Sequence, residues 1–140
     1  NIQTSFEDLH IDENIYITIF ALVLDPLTGQ FVYANAGHSV TPLIAGVDGV
    51  RELFLPGNPI CRWRMNEERE QKYGKLEKGE RLLLYTDGLD DVHVDIDVMH
   101  GLHEMLLNKA HKGDGLLAAI KEKFAQKKED DVTMLLCERT

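Results

Sequence analysis

Apolar residues follow two patterns in this chain: short dense runs through its first two thirds, then helical spacing from about residue 100. The first run, Ile15–Leu24 (IYITIFALVL), is rich in β-branched and aromatic residues and apolar on both faces, which predicts a buried strand. In Asp25-Pro26-Leu27-Thr28-Gly29-Gln30, proline presets φ for a turn and glycine reaches the left-handed region. The segment therefore predicts a hairpin returning along Phe31–Asn35. Gly37-His38-Ser39 breaks that strand. A second hairpin is expected from Pro42–Ala45 and Val50–Leu55 around the turn Gly46-Val47-Asp48-Gly49. Pro56–Met65 is irregular, and Glu67–Tyr73 is polar enough for an edge or surface strand. The turn Leu76–Glu80 leads into Arg81–Thr86, the most hydrophobic run after the first.

The later segments Gly101–Ala110 and Asp114–Gln126 place apolar residues at helical spacing, with Asp114 a candidate N-cap for the second. Val132–Cys137 predicts a short buried strand. Strands, then two helices, then one strand describe an α+β fold, a layered sandwich of antiparallel sheet with flanking helices. No repeat, low-complexity tract or linker interrupts the 140 residues, so residues 1–140 are expected to form a single domain.

Composition narrows the function classes. An apolar content of 44% and a charged content of 28% are ordinary for a globular domain. The net charge of −9 argues against nucleic acid, whose phosphates are held by clustered Lys and Arg. No apolar run approaches the roughly 20 residues of a membrane helix, and Asn1–Asp8 does not read as a signal peptide. Cys61 and Cys137, far apart, read as reduced thiols. The expectation is a soluble cytoplasmic protein.

Two acidic places interrupt apolar surroundings. Asp87, in Tyr85-Thr86-Asp87-Gly88-Leu89, ends a hydrophobic strand, and Asp130-Asp131 opens the last one. Asp87 and Asp130 lie 43 positions apart, so only the fold can bring them together. Adjacent carboxylates repel unless a cation or proton lies between them, and oxygen-only ligands suit Mg²⁺ or Mn²⁺ better than Zn²⁺. Taken alone, Asp-Gly after a strand is most often a turn, and Lys127-Lys128-Glu129-Asp130-Asp131 most often a solvated loop. The acidic stretch Asp87, Asp90, Asp91, Asp95, Asp97 lacks the ligand order of a calcium loop. His100 and His103 share a helix face but have no further Cys or His at a zinc spacing, so they read as surface residues. Trp63, between Arg62 and Arg64, reads as a partly buried loop aromatic, with partner contact the alternative.

Three blocks together resemble a known family. Ile17–Gly29 followed by Tyr33-Ala34-Asn35-Ala36-Gly37-His38, then Leu76–Gly88, then Asp130–Leu136, are similar in order and spacing to the SpoIIE/RsbU-like branch of the metal-dependent protein phosphatases (PPM). The resemblance covers the chain from about Ile15 to its end and corresponds to the C-terminal portion of that domain. It implies that Asp87 and Asp130 are metal ligands for Mn²⁺ or Mg²⁺, that Asp131 supports the site, and that Gly88 permits the close turn. Gly37 and His38 would be architectural. The implied reaction is hydrolysis of phosphoserine or phosphothreonine at a two-metal centre by in-line attack of an activated water, with no side-chain nucleophile. The implied substrate is a phosphorylated regulatory protein, such as an anti-sigma-factor antagonist.

The departures matter as well. The family's Gly-Asp-x-x-Gly-His-Gly segment, whose Asp bridges both ions, has no counterpart in these 140 residues, which predicts an incomplete centre and little or no activity for this chain. Asp90 replaces a common Glu, and Cys61 stands where Gly is expected. The competing expectation is a non-catalytic protein-interaction module that retains the fold. Retention of two buried carboxylates, Asp87 and Asp130, favours an enzyme origin. Uncovered strand edges further predict self-association or a partner that fills the gap.

Overall fold

The computed structural model describes residues 15–61, 68–89, 96–124 and 131–140. These fall into two compact units, one formed by the described residues within the spans Asn1–His38 and Leu55–Lys75, the other by those within Ser39–Phe54 and Leu76–Thr140.

The first unit holds a three-stranded antiparallel sheet in the order β1 (Ile19–Leu24), β2 (Gln30–Ala36), β5 (Lys72–Lys75). The β1–β2 turn is built by Asp25. Its carboxylate accepts from the Leu27 amide at 2.9 Å and the Thr28 hydroxyl at 2.7 Å, and its carbonyl accepts from the Gly29 amide at 2.8 Å. An Asx turn of this kind closes the chain without a partner strand, so Asp-Pro-Leu-Thr-Gly folds locally as expected. Burial of the first strand corrects the expectation. Among the described residues β1 lies at the edge of its sheet, and Val23 is 71% exposed, so one face of its apolar run is left open. Regular pairing begins at Ile19; upstream, Ile17 makes an isolated two-bond bridge to Ile60. Tyr73, opposite Val32 in the register, is also exposed, and β5 is displaced toward Lys72–Lys75 from the expected Glu67–Tyr73.

The second unit holds a four-stranded antiparallel sheet in the order β4 (Gly49–Glu52), β3 (Leu43–Gly46), β6 (Arg81–Tyr85), β7 (Met134–Glu138). Helices α1 (Ile96–Leu107) and α2 (Gly113–Phe124) pack on one face of it. Side chains alternate across a strand, and Leu43, Ala45, Leu83 and Tyr85 on one sheet face meet Leu102 and Leu106 of α1 and Leu116, Ile120 and Phe124 of α2. Spacings of four along each helix put these residues in one stripe. Gly101 lets the helices approach, since a Cβ there would lie 3.3 Å from the Phe124 ring.

Both helix boundaries differ from expectation for tertiary reasons. α1 stops at Leu107, where the buried Arg81 guanidinium, through Nη1, takes the carbonyls of Leu106 at 3.1 Å and Asn108 at 3.0 Å. Asn108 then accepts the Ala110 amide at 2.9 Å, turning the chain. α2 opens at Gly113, whose amide donates to Glu138 Oε2 on β7 at 2.9 Å, so Glu138 serves the helix N-terminus and Asp114 lies inside the first turn. Glu138 Oε1 also pairs with Arg81 Nε at 2.9 Å, and the two residues are opposite each other in the β6–β7 register. One cross-strand ion pair thus serves the end of one helix and the start of the next. No helix among the described residues is long and apolar enough to cross a membrane.

Candidate functional site

Asp87 lies two residues beyond the last residue of β6. Thr86 joins the two acidic blocks: its amide donates to the Thr133 carbonyl at 3.0 Å, its hydroxyl accepts from the Thr133 amide at 3.0 Å, and the same hydroxyl donates to the Asp131 carbonyl at 3.3 Å. A turn bond from the Leu89 amide to the Thr86 carbonyl, 3.2 Å, then bends the chain through Asp87-Gly88. Residues 45 and 47 positions apart in sequence are joined in this way.

Gly88 shows how close the approach is. A Cβ there would sit 2.3 Å from the Asp131 carbonyl oxygen and 2.8 Å from its carbon, which no side-chain rotation relieves. Leu89 is 1% exposed and anchors the turn in the helix-side core. Asp87 and Asp131 are both exposed, which corrects the expectation of a buried carboxylate at Asp87. The strand ends at Tyr85, so the acidic side chains emerge at the rim while the phenol stays inside. Burial first, and the charge of Glu52 second, push the Tyr85 hydroxyl well above its ordinary range, so it remains neutral.

Asp130 lies outside the described residues, as do Asp90, Asp91, Asp95 and Trp63. Among the described residues, no three His, Cys, Asp or Glu side chains come together as a metal-holding group. Asp87 and Asp131, whose segments Thr86 and Gly88 hold together through the Asp131 carbonyl, carry carboxylates alone, a chemistry that fits a hard divalent cation with oxygen ligands. His100 and Glu104 are 3.9 Å apart on the exposed face of α1. Cys61 and Cys137 are half-buried free thiols.

In the first unit, Gly37 and His38 belong to a turn held by Asn35. The Asn35 amide nitrogen donates to the carbonyls of His38 at 3.1 Å and Leu55 at 2.8 Å, and its oxygen accepts the His38 amide at 2.8 Å. Gly37 has φ +75°, and a Cβ on it would come within 2.5 Å of Pro59. Thr86 and Asn35 were not singled out from sequence. The available signals were a Thr directly before Asp-Gly at a strand end, matched by Thr133 after the acidic pair, and an Asn at the end of a strand before Ala-Gly-His.

The family model for Stage II sporulation protein E (SpoIIE) matches residues 2–140. The chain belongs to the SpoIIE family. The motif-based assignment to the SpoIIE/RsbU-like phosphatases therefore holds, and so does the α+β fold class. Protein IcfG of Synechocystis sp. is 27% identical over 134 residues, an alignment covering 90% of this chain and 21% of IcfG. The RsbU and RsbW domains of Rv1364c from Mycobacterium tuberculosis superpose with a TM-score of 0.74 at 21% identity, covering 99% of this chain and 40% of that one. The phosphatase domain of SpoIIE from Bacillus subtilis, presoaked with manganese, superposes with a TM-score of 0.62 at 19% identity, covering 98% of this chain and 70% of that one. The chain thus spans about a fifth of IcfG and less than half of the Mycobacterium structure. At these identities the structural likeness concerns the fold.

Proposed function

We propose that this chain carries part of the metal face of a serine/threonine phosphoprotein phosphatase, with Asp87 and Asp130 as ligands and Asp131 and Gly88 supporting them. One observation carries the reading. The Thr86-Asp87-Gly88 turn is pinned to Asp131 and Thr133 by three hydrogen bonds and a glycine contact that no larger residue would allow. A solvated loop beside an unrelated turn needs no such lock. Membership of the SpoIIE family supports the same reading.

A hard divalent cation held there, Mn²⁺ or Mg²⁺, supplies charge neutralisation at phosphoryl oxygens and an acidified water. The chain's own residues do the positioning. Thr86 fixes the two backbones, Gly88 admits the Asp131 carbonyl, and Leu89 secures the turn from below. Asp87 then presents its carboxylate at the rim, where a phosphorylated side chain of another protein has access. A folded protein substrate, such as a phosphorylated anti-sigma-factor antagonist, suits an exposed rim of this kind. We place the whole of residues 1–140 within one such domain, and expect these residues alone to supply only part of the coordination.

Calorimetric titration with Mn²⁺ tests the proposal. The wild type should bind, and Asp87→Asn and Asp130→Asn should each weaken binding at least tenfold, which is about 1.4 kcal/mol. Binding that survives both substitutions would exclude these residues as ligands. Absence of binding would favour a protein-interaction module that keeps the fold.

A further inference from the structure

The hydroxyl of Thr86, half-buried just past the end of β6, directs both of its functions to the opposite segment. It accepts the Thr133 amide at 3.0 Å and donates to the Asp131 carbonyl at 3.3 Å. The Thr86 amide donates separately to the Thr133 carbonyl at 3.0 Å. Any residue except proline could make that last bond, whereas the first two need a hydroxyl. We propose that Thr86 is a positioning residue whose hydroxyl, acting through Asp131 and Thr133, sets the affinity of the acidic rim for a divalent cation. This role rests on the metal reading above and names the uncharged group on which that affinity depends.

Asp87 follows Thr86 directly, and the hydroxyl ends on the carbonyl of Asp131, so one side chain links the segments that bear both carboxylates. Like charges on the two segments oppose this join until a cation arrives. A site already assembled in the cation-free chain binds more tightly than one the cation must first draw together. Gly88 sets how near the two backbones can come, and the Thr86 hydroxyl keeps them from drifting apart. Threonine suits the place better than serine, because its β-branch restricts χ1 and so holds the hydroxyl toward its partners.

Thr86→Val keeps the branched shape and removes the hydroxyl, and Thr86→Ser keeps the hydroxyl. Mn²⁺ is titrated calorimetrically into the full chain and both variants, and hydrogen exchange of the Thr133 amide is followed by NMR without metal. Thr86→Val should bind about tenfold more weakly and exchange Thr133 faster, while Thr86→Ser stays within about threefold of wild type. Glu138→Gln, at the far end of the same strand pair, should leave Mn²⁺ affinity unchanged, which separates positioning from loss of stability. A folded Thr86→Val protein that binds Mn²⁺ as tightly as wild type overturns this role and leaves Asp87 and Asp130 as ligands. Equal weakening by Thr86→Val and Glu138→Gln overturns it as well. So does a Thr133 amide that exchanges in the wild type at the rate of an unprotected loop. A wild type that binds no Mn²⁺ overturns the metal reading, and this role with it.

Discussion

Gly88→Ala isolates the contact that holds the two acidic segments together. Gly88 is not among the glycines with positive φ, so alanine meets no backbone penalty there. The whole cost comes from placing a methyl group 2.3 Å from the Asp131 carbonyl oxygen, 2.8 Å from its carbon and 3.1 Å from a Val132 methyl. Ordinary van der Waals separation is about 3.5 Å, so the last strand must retreat by roughly 1 Å. The first two obstacles are backbone and cannot rotate away. Overpacking of this kind costs about 1–3 kcal/mol, and the upper part applies because the Thr86–Thr133 and Thr86–Asp131 hydrogen bonds must lengthen together.

At this chain length 1 kcal/mol corresponds to about 3–4 °C in Tm, so Gly88→Ala should melt roughly 6–10 °C lower. The control is Gly115→Ala. Gly115 lies in α2, where a Cβ would meet nothing within 4 Å. Alanine there should stabilise by up to about 1 kcal/mol through lower unfolded-state entropy. Differential scanning calorimetry on the two variants reads opposite signs from the same chemical change. A Gly88→Ala protein melting within a degree of wild type would refute the close approach and the lock built on it.

Glu138→Gln should destabilise by about 2–4 kcal/mol in urea titration, because it leaves Arg81 buried beside a neutral partner and weakens the anchor at the start of α2; the lower part of that range applies since Glu138 keeps 25% of its side chain exposed. Asn35→Ala removes three hydrogen bonds and should cost about 2–3 kcal/mol by the same assay. Glu80 is held below the ordinary carboxylate range, chiefly by its hydrogen bond to Arg51 and then by the Glu77 amide, against the effect of burial. Its contribution is complete above the unfolded value near 4.5 and disappears as pH falls through the lower folded value. Glu80→Gln should therefore be less stable than wild type at pH 7, with the gap closing toward pH 3; a gap constant across that range would contradict the assignment.

Legibility in the sequence followed the range of the interactions. The Asp25–Gln30 turn was readable because Asp25 satisfies its neighbours within five residues. β6 was readable because both faces of Leu82-Leu83 are fully buried, so a plain apolar run is the right signal. The same signal misled at Ile15–Leu24, since an apolar run reports preference for burial and not whether something covers each face, and Val23 is left open. Helix ends were misplaced because their caps come from other strands. Lys109 and Ala110 are good helix formers, and nothing local reveals that Arg81 draws the Leu106 and Asn108 carbonyls away. Asp114 is a proper capping residue type, displaced by Glu138 from 24 positions later.

The acidic turn illustrates the same division. The expectation that Asp87 and the Asp130-Asp131 pair belong together rested only on two motifs in a family's order. What brings the backbones of the two acidic segments together is the β6–β7 register, and the acids do not set that register. Leu83 opposite Leu136 and Tyr85 opposite Met134 face the helix-side core, with Arg81 opposite Glu138 on the same face. A slip of one residue in β6 would turn Arg81, Leu83 and Tyr85 to the other side of the sheet. Arg81 would abandon two helix carbonyls, Leu83 would leave a fully buried position, and Thr86 would no longer oppose Thr133. The apolar and capping residues therefore place the carboxylates, and the carboxylates are free to be exposed because their position is already determined beneath them.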